Sequence, residues 1–307
     1  GGKNFYCYNG ATPLSTAMFS VRYMLSDNPM EADMFKTYVG SENGNYLYRN
    51  NYCLPLGFMM DEDAIQAWTD SSAGRTGSLN ALATALGCEE NMISTVDCKT
   101  EAVEGDTSID IPEDGYYYAD YTTCNSDSLN VNRNDGWNMN YSKTTHRYLL
   151  GLGKCKAGDR IHISNTNMET IYFSVYKLNT DVVEQCYHTL NRQTMELTSM
   201  TDRSVEGTVD VKEAGRLVLS IPADAGWTLY VDGKETEITP LADALIGVHL
   251  TEGAHTIRLH YTTPGLKAGA AISGGAIALF AWSMLLVRRR RRVERVRESV
   301  EENTGKV

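Results

Sequence analysis

The chain has 307 residues, with 28 Lys and Arg against 39 Asp and Glu and a formal net charge of −11 at pH 7. The tail from Arg288 to Val307 carries eight Lys/Arg and four Asp/Glu, so 20 basic and 35 acidic residues precede it, a net of −15. An acidic body of this kind argues against nucleic acid as a partner and against electrostatic capture of anionic polymers.

The pattern predicts a mainly β chain with a small α/β N-terminal region, then two tandem antiparallel β-sandwich modules and one transmembrane helix. Residues 1–104 form the α/β region. "TAMFSVRYMLSD" reads as a buried strand or helix feeding a turn, and "YLYRNNYCLPLGFMM" as an extended segment. "DEDAIQAWTD" and "GSLNALATALGC" read as short helices, with Asp61 and Ser78 as N-caps. Asp61 and Asp63 form an Asp-x-Asp pair of the kind that holds a divalent cation on a phosphate. Acidic residues also favour the positive N-terminal end of a helix, and without a third ligand nearby that reading is preferred.

Residues 105–178 form the first sandwich module and 205–264 the second, joined by a helical connector at 179–204. Val182, Val183, Cys186, Tyr187 and Leu190 share one face of that connector. The two modules read as a duplication. Asp110, Glu113, Gly115, Leu129 and Val131 recur one hundred positions later as Asp210, Glu213, Gly215, Leu229 and Val231, and "KAGDRIHIS" resembles "TEGAHTIRLHY". In the latter, Ile257, Leu259 and Tyr261 alternate with Arg258 and His260, as in a half-buried strand. "VDGK" supplies the Asp-Gly pair of a tight hairpin.

Residues 265–287 contain the twenty uncharged positions Ala268 to Val287. At about 1.5 Å per residue, twenty helical residues match a ~30 Å hydrocarbon core. The five arginines Arg288, Arg289, Arg290, Arg291 and Arg292 follow directly, and basic residues collect on the cytoplasmic side. The tail 288–307 is therefore expected in the cytoplasm and everything before residue 265 outside it. A buried core helix with a basic end is the alternative. Ala271 and Gly275, at helical spacing, would let a second helix approach closely. The chain is expected to be the C-terminal part of a longer membrane protein, since a C-terminal span alone does not export a large preceding domain.

Few constellations carry chemistry. Asp224, Trp227 and Asp232 have the residue types of a sugar site with a stacking platform, and equally those of two strands joined by turns. Tyr116, Tyr117, Tyr118 and Tyr121 suit sugar stacking or a sandwich surface; Trp227, Asp224 and Tyr117 are the candidate ligand contacts. No HExxH, Gly-x-Ser-x-Gly or P-loop is present, so no catalytic residue is assigned. The seven cysteines (Cys7, Cys53, Cys88, Cys98, Cys124, Cys155, Cys186) contain no CxxC, and no His stands at ligand spacing, so no metal site is read. Outside the cytoplasm a disulfide is permitted, and spacing favours Cys88 with Cys98; semi-buried free thiols explain the pattern equally well.

"VRYMLSD", "YLYRNNYCLPLGFM", "NALATALGC" and "LVLSIPADAGWTLYVDGKETEI…LIGVHLTEGAHTIRLHYTTPGLKAGAAIS" together resemble, in order, the C-terminal half of the bacterial YfhO-family membrane proteins. The resemblance is most specific from Leu217 to Ser273. It implies a parent protein in the bacterial cell membrane with an array of transmembrane helices like a GT-C glycosyltransferase. Such an enzyme takes a sugar from a polyprenyl-phosphate carrier and, in some members, glycosylates lipoteichoic acid. The implied partners are the lipid bilayer, further transmembrane helices of the same protein and an envelope glycopolymer. The family's catalytic acid is expected in an early outer loop, so no catalytic role maps onto this chain and no cofactor is expected in it. The competing reading is a non-catalytic, membrane-anchored glycan- or protein-binding scaffold.

Overall fold

A computed structural model describes residues 10–70, 72–121, 124–242 and 244–304, with side chains described as far as Val296. Cys7 lies outside the described residues. The chain opens with α1 (Pro13–Met18), then β1 (Tyr23–Ser26), β2 (Lys36–Glu42) and β3 (Asn45–Asn50), which pair antiparallel in the order β1-β3-β2. β4 (Gly57–Met60), α2 (Glu62–Thr69), α3 (Gly74–Ala85) and β5 (Ile93–Thr95) follow.

The next segment comprises β6 (Lys99–Val103), β7 (Asp106–Asp110), β8 (Gly115–Tyr121), β9 (Ser128–Arg133), β10 (Asn138–Ser142), β11 (Leu150–Cys155), β12 (Arg160–Asn165) and β13 (Phe173–Leu178). After α4 (Thr180–Leu190) come β14 (Glu196–Thr201), β15 (Ser204–Val211), β16 (Gly215–Pro222), β17 (Trp227–Val231), β18 (Lys234–Thr236), β19 (Leu245–Leu250) and β20 (Gly253–Tyr261). The chain ends in α5 (Leu266–Thr304).

The duplication is visible strand by strand. The larger sheet of the first sandwich has the order β10-β9-β12-β7-β6, and that of the second has β18-β17-β20-β15-β14. Registers also agree: Asp110 faces Arg160 while Val131 faces Ile163, and Asp210 faces Ala254 while Val231 faces Ile257. In the smaller sheets β8 lies between β11 and β13, and β16 between β19 and β4. The place that β13 takes in the first sandwich is thus filled in the second by β4, some 150 residues upstream of β16. β5 likewise extends the first sandwich and β14 the second, so the sheets recruit strands from outside 105–178 and 205–264.

This recruitment explains the near-continuous apolar runs "GYYYADY" and "GRLVLSIP". Tyr117, Ala119 and Tyr121 enter the first sandwich core, and Leu217, Leu219 and Ile221 the second. The alternate residues Tyr118 and Val218 enter a third core, with α1, α2, α3, α4 and β4 contributing Leu14, Ala64, Leu82, Val183 and Phe58. Both faces of the smaller sheets are therefore covered, and the polar half of the alternation disappears. Arg216 ties α2 to β16, with Nη2 2.7 Å from Oε2 and Nε 3.1 Å from Oε1 of Glu62.

Local signals meet mixed outcomes. Asp61 caps α2, its Oδ1 accepting from the Ala64 amide at 2.6 Å. Ser78 does not cap α3. The helix begins at Gly74, and the Ser78 hydroxyl donates to the carbonyls of Asp70 and Gly74 from within it. The extra turn is held from outside by Arg75, whose guanidinium pairs with Asp120 on β8. "VDGK" makes the expected hairpin: Asp232 (φ 52°) and Gly233 (φ 78°) are both left-handed and Val231 faces Lys234. Val182, Val183, Cys186 and Leu190 form the buried face of α4.

α5 includes one segment long and apolar enough to cross a membrane, Leu266–Val296. Ile272, Leu279, Phe280 and Trp282 stand exposed along it, as lipid-facing side chains do. Arg288 to Arg292 do not end the helix. Arginine is a good helix former, and α5 runs on to Thr304.

Candidate functional site

Strand alternation gives β10 two different faces. Asn138 and Asn140 point to the outside of the first sandwich, where their carboxamides hydrogen-bond with Asn130 and Asn132 of β9. Met139 and Tyr141, together with Trp137 just before the strand, take the other side and line a cleft of about 280 Å³. The opposite wall comes from the N-terminal region, with Met24, Met30, Glu31, Asp33, Phe35, Lys36 and Tyr52. Tyr116 and Tyr118 of β8 complete the lining. Gly151 and Gly153 lie on β11 beneath it, Gly153 at φ 80°, and a Cβ at either position would make an ordinary contact, 3.5 Å from the Tyr141 hydroxyl or 3.7 Å from the Trp137 ring.

The aromatic walls are braced from behind. Phe35 meets Tyr116 edge-on at 5.0 Å between ring centroids, and Tyr52 meets Tyr187 of α4 edge-on at 4.9 Å. The Arg133 guanidinium lies over the Trp137 ring at 5.4 Å. Burial, reinforced by the Asp33 carboxylate, pushes the Tyr116 hydroxyl well above the ordinary phenol range, so it stays a neutral donor at physiological pH.

The charges in the cleft are mostly paired within the protein. Asp33 accepts from the Phe35 and Lys36 amides at 2.9 and 3.0 Å and from Lys36 Nζ at 2.5 Å. Arg133 donates from Nη2 to Asp135 at 2.7 Å and has Asp159 3.8 Å from its Nε. Two of the cations at the cleft are thus already neutralised, and Glu31 adds a negative charge to the lining. The arrangement offers aromatic stacking faces and the exposed Glu31 carboxylate rather than a clamp for anions.

The sequence-derived candidates lie in different places. Tyr117 adjoins the cleft but is wholly buried, its hydroxyl donating to the Glu113 carbonyl at 2.9 Å. Trp227 is half-buried over the second sandwich core, with its ring 5.0 Å from Tyr261 in an edge-on pair. Asp224 accepts from the Gly226 amide at 2.8 Å and the Tyr261 hydroxyl at 3.1 Å, which fixes the turn before Trp227. Tyr117 therefore belongs to one sandwich and the Asp224–Trp227 pair to the other. Trp137, Tyr141, Phe35 and Tyr52 were not singled out from sequence. The period-two alternation of "WNMNYS" was the signal available for Trp137, Met139 and Tyr141. Among the described residues no cluster of three or more His, Cys, Asp or Glu stands ready to hold a metal. Cys98 is not beside Cys88; the sulfur facing Cys88 is that of Cys186.

A mostly antiparallel β protein with two duplicated sandwiches, an aromatic cleft and a terminal apolar helix is a membrane-anchored protein in class. A family model described as bacterial membrane protein YfhO matches residues 1–273, and the chain belongs to that family. No curated protein matches the sequence. Among solved structures, a cupin 2 conserved barrel domain protein from Leptotrichia buccalis is similar at 11% identity, covering 55% of this chain and 91% of that one. Its TM-score of 0.14 carries no argument about fold or function.

Proposed function

We propose that this chain is the extracytoplasmic cap and last membrane span of a YfhO-family glycosyltransferase, and that its aromatic cleft orients the acceptor glycan. In this reading residues before 265 lie outside the cytoplasm, 265–287 cross the bilayer and 288–307 are cytoplasmic. The arginines Arg288 to Arg292 support that orientation. Transfer from a polyprenyl-phosphate-linked sugar to an envelope glycopolymer, such as lipoteichoic acid, takes place at the family's membrane-helix array. The cap holds the growing end of the polymer near it.

The observation that carries the proposal is the cleft itself, walled by Trp137, Tyr52, Tyr116 and Tyr141 with the exposed Glu31 at its lining. Aromatic faces cover the apolar faces of sugar rings, and the exposed Glu31 carboxylate at the lining accepts from their hydroxyls. With Lys36 and Arg133 already paired, the cleft suits the neutral sugar units of such a polymer better than its phosphate backbone. The test is sugar incorporation into glycopolymer in cells carrying the parent protein with Trp137→Ala. At equal membrane abundance, incorporation is expected to fall at least tenfold. Unchanged incorporation would sink the assignment of the cleft.

A further inference from the structure

Seven cysteines leave open which, if any, pair. Cys88 follows the end of α3, where left-handed Gly87 (φ 86°) turns the chain inward, and Cys186 lies in the middle of α4. Both are buried in the central core, and their sulfurs are 3.4 Å apart across 98 residues of chain. Cys53, Cys124 and Cys155 instead direct their thiols to the backbone carbonyls of Leu54, Ser126 and Leu152. A disulfide bond is about 2.05 Å long, so the Cys88 and Cys186 sulfurs need to close by only about 1.4 Å.

We infer that Cys88 and Cys186 are a cystine site, joined when the chain folds in the presence of a disulfide oxidant. The two thiols transfer two electrons and two protons to the oxidant's disulfide: one sulfur–sulfur bond forms, the oxidant's bond breaks, and two thiols leave on the oxidant. The oxidant is a small-molecule or protein disulfide, the class found outside the cytoplasm. Its presence in the cell rests on the outward orientation proposed above; the pairing geometry does not.

Burial raises the Cys186 pKa, and the adjacent Cys88 raises it further. Native Cys186 is accordingly a poor thiolate source, and the bond forms during folding, before the core closes. Once formed, it fixes the end of α3 to α4. Tyr187 is the neighbour of Cys186 and braces Tyr52 in the cleft wall, so the cystine stiffens the support of the cleft.

The experiment uses the full chain in detergent. One sample is taken directly from membranes; a second is partly unfolded in mild denaturant and refolded with oxidised glutathione. Free thiols are alkylated under denaturing conditions, and unreduced proteolytic peptides are mapped by mass spectrometry. In the refolded sample a peptide pair linking Cys88 to Cys186, lighter by two hydrogens, is expected. The melting temperature should fall on adding reductant, and this response should vanish in Cys88→Ser. Alkylation of both cysteines after oxidative refolding, or a Cys88–Cys98 link, would overturn the inference. A link in the refolded sample but two alkylated thiols in the membrane sample would support the site and contradict the outward orientation.

Discussion

If β4 is a structural strand of the second sandwich, truncating Phe58 should damage the whole molecule. Phe58 is wholly buried, pairs across the strand with Val218 and contributes to the central core, while its neighbour Met59 enters the core of the second sandwich. Phe58→Ala removes a ring from a site walled by sheet on one side and helices on the other, with little freedom to collapse. Buried Phe→Ala substitutions cost about 3–5 kcal/mol, a large share of the ~5–15 kcal/mol that holds a typical domain together. For a chain of this size that corresponds to a melting temperature lower by about 5–8 °C. Thermal unfolding of the full chain in detergent, followed by tryptophan fluorescence, reads the shift. Because β4 lies against both cores, wild type and variant should each lose signal in one transition. A shift below about 2 °C would show that the Phe58 ring does not hold β4 to the central core.

Trp227→Ala should lower stability by about 2 kcal/mol, less than a fully buried aromatic because the ring is half-buried, while leaving glycan binding intact; lost binding at unchanged melting temperature would make Trp227 a ligand platform. The Asp232 hydrogen bond raises the pKa of His255 above 6.5, against a smaller opposing effect of burial. A raised histidine pKa stabilises the fold fully below pH 6.5 and ceases to do so as pH rises through the folded value. The stability gap between wild type and Asp232→Asn should therefore be full below pH 6.5 and narrow as pH rises through the folded value, and a pH-independent gap would show that the charged pair does not stabilise the fold. A membrane-impermeant amine reagent added to intact cells should modify exposed lysines such as Lys99 and Lys212; modification only after lysis would place the sandwiches inside.

Much of the architecture was legible because the signals were local. The Asp232-Gly233 hairpin follows from two residues that tolerate positive φ, and the α4 face from apolar spacing. The repeat was legible because β7, β9, β15 and β17 keep the same intervals. β4 was not, since "GFMM" is covered on both faces and shows no alternation to mark it as a strand of a distant sheet. Ser78 lost its expected capping role because Arg75, held by Asp120, keeps an otherwise weak Gly-Arg-Thr-Gly turn helical. Cys88 was matched to the wrong neighbour because sequence distance stood in for spatial distance. The cleft escaped notice because Phe35, Tyr116 and Trp137 come from three separate stretches of chain and meet only when the first sheet folds against the first sandwich.

The most direct test of the central claim is calorimetric titration of the full chain in nanodiscs with neutral oligosaccharides cut from the envelope glycopolymer, set against oligomers of its glycerol phosphate backbone. Saturable binding of the neutral oligosaccharides, weakened at least tenfold by Trp137→Ala and absent for the phosphate oligomers, is the predicted result. Preferential binding of the phosphate backbone, or binding indifferent to Trp137, would contradict it.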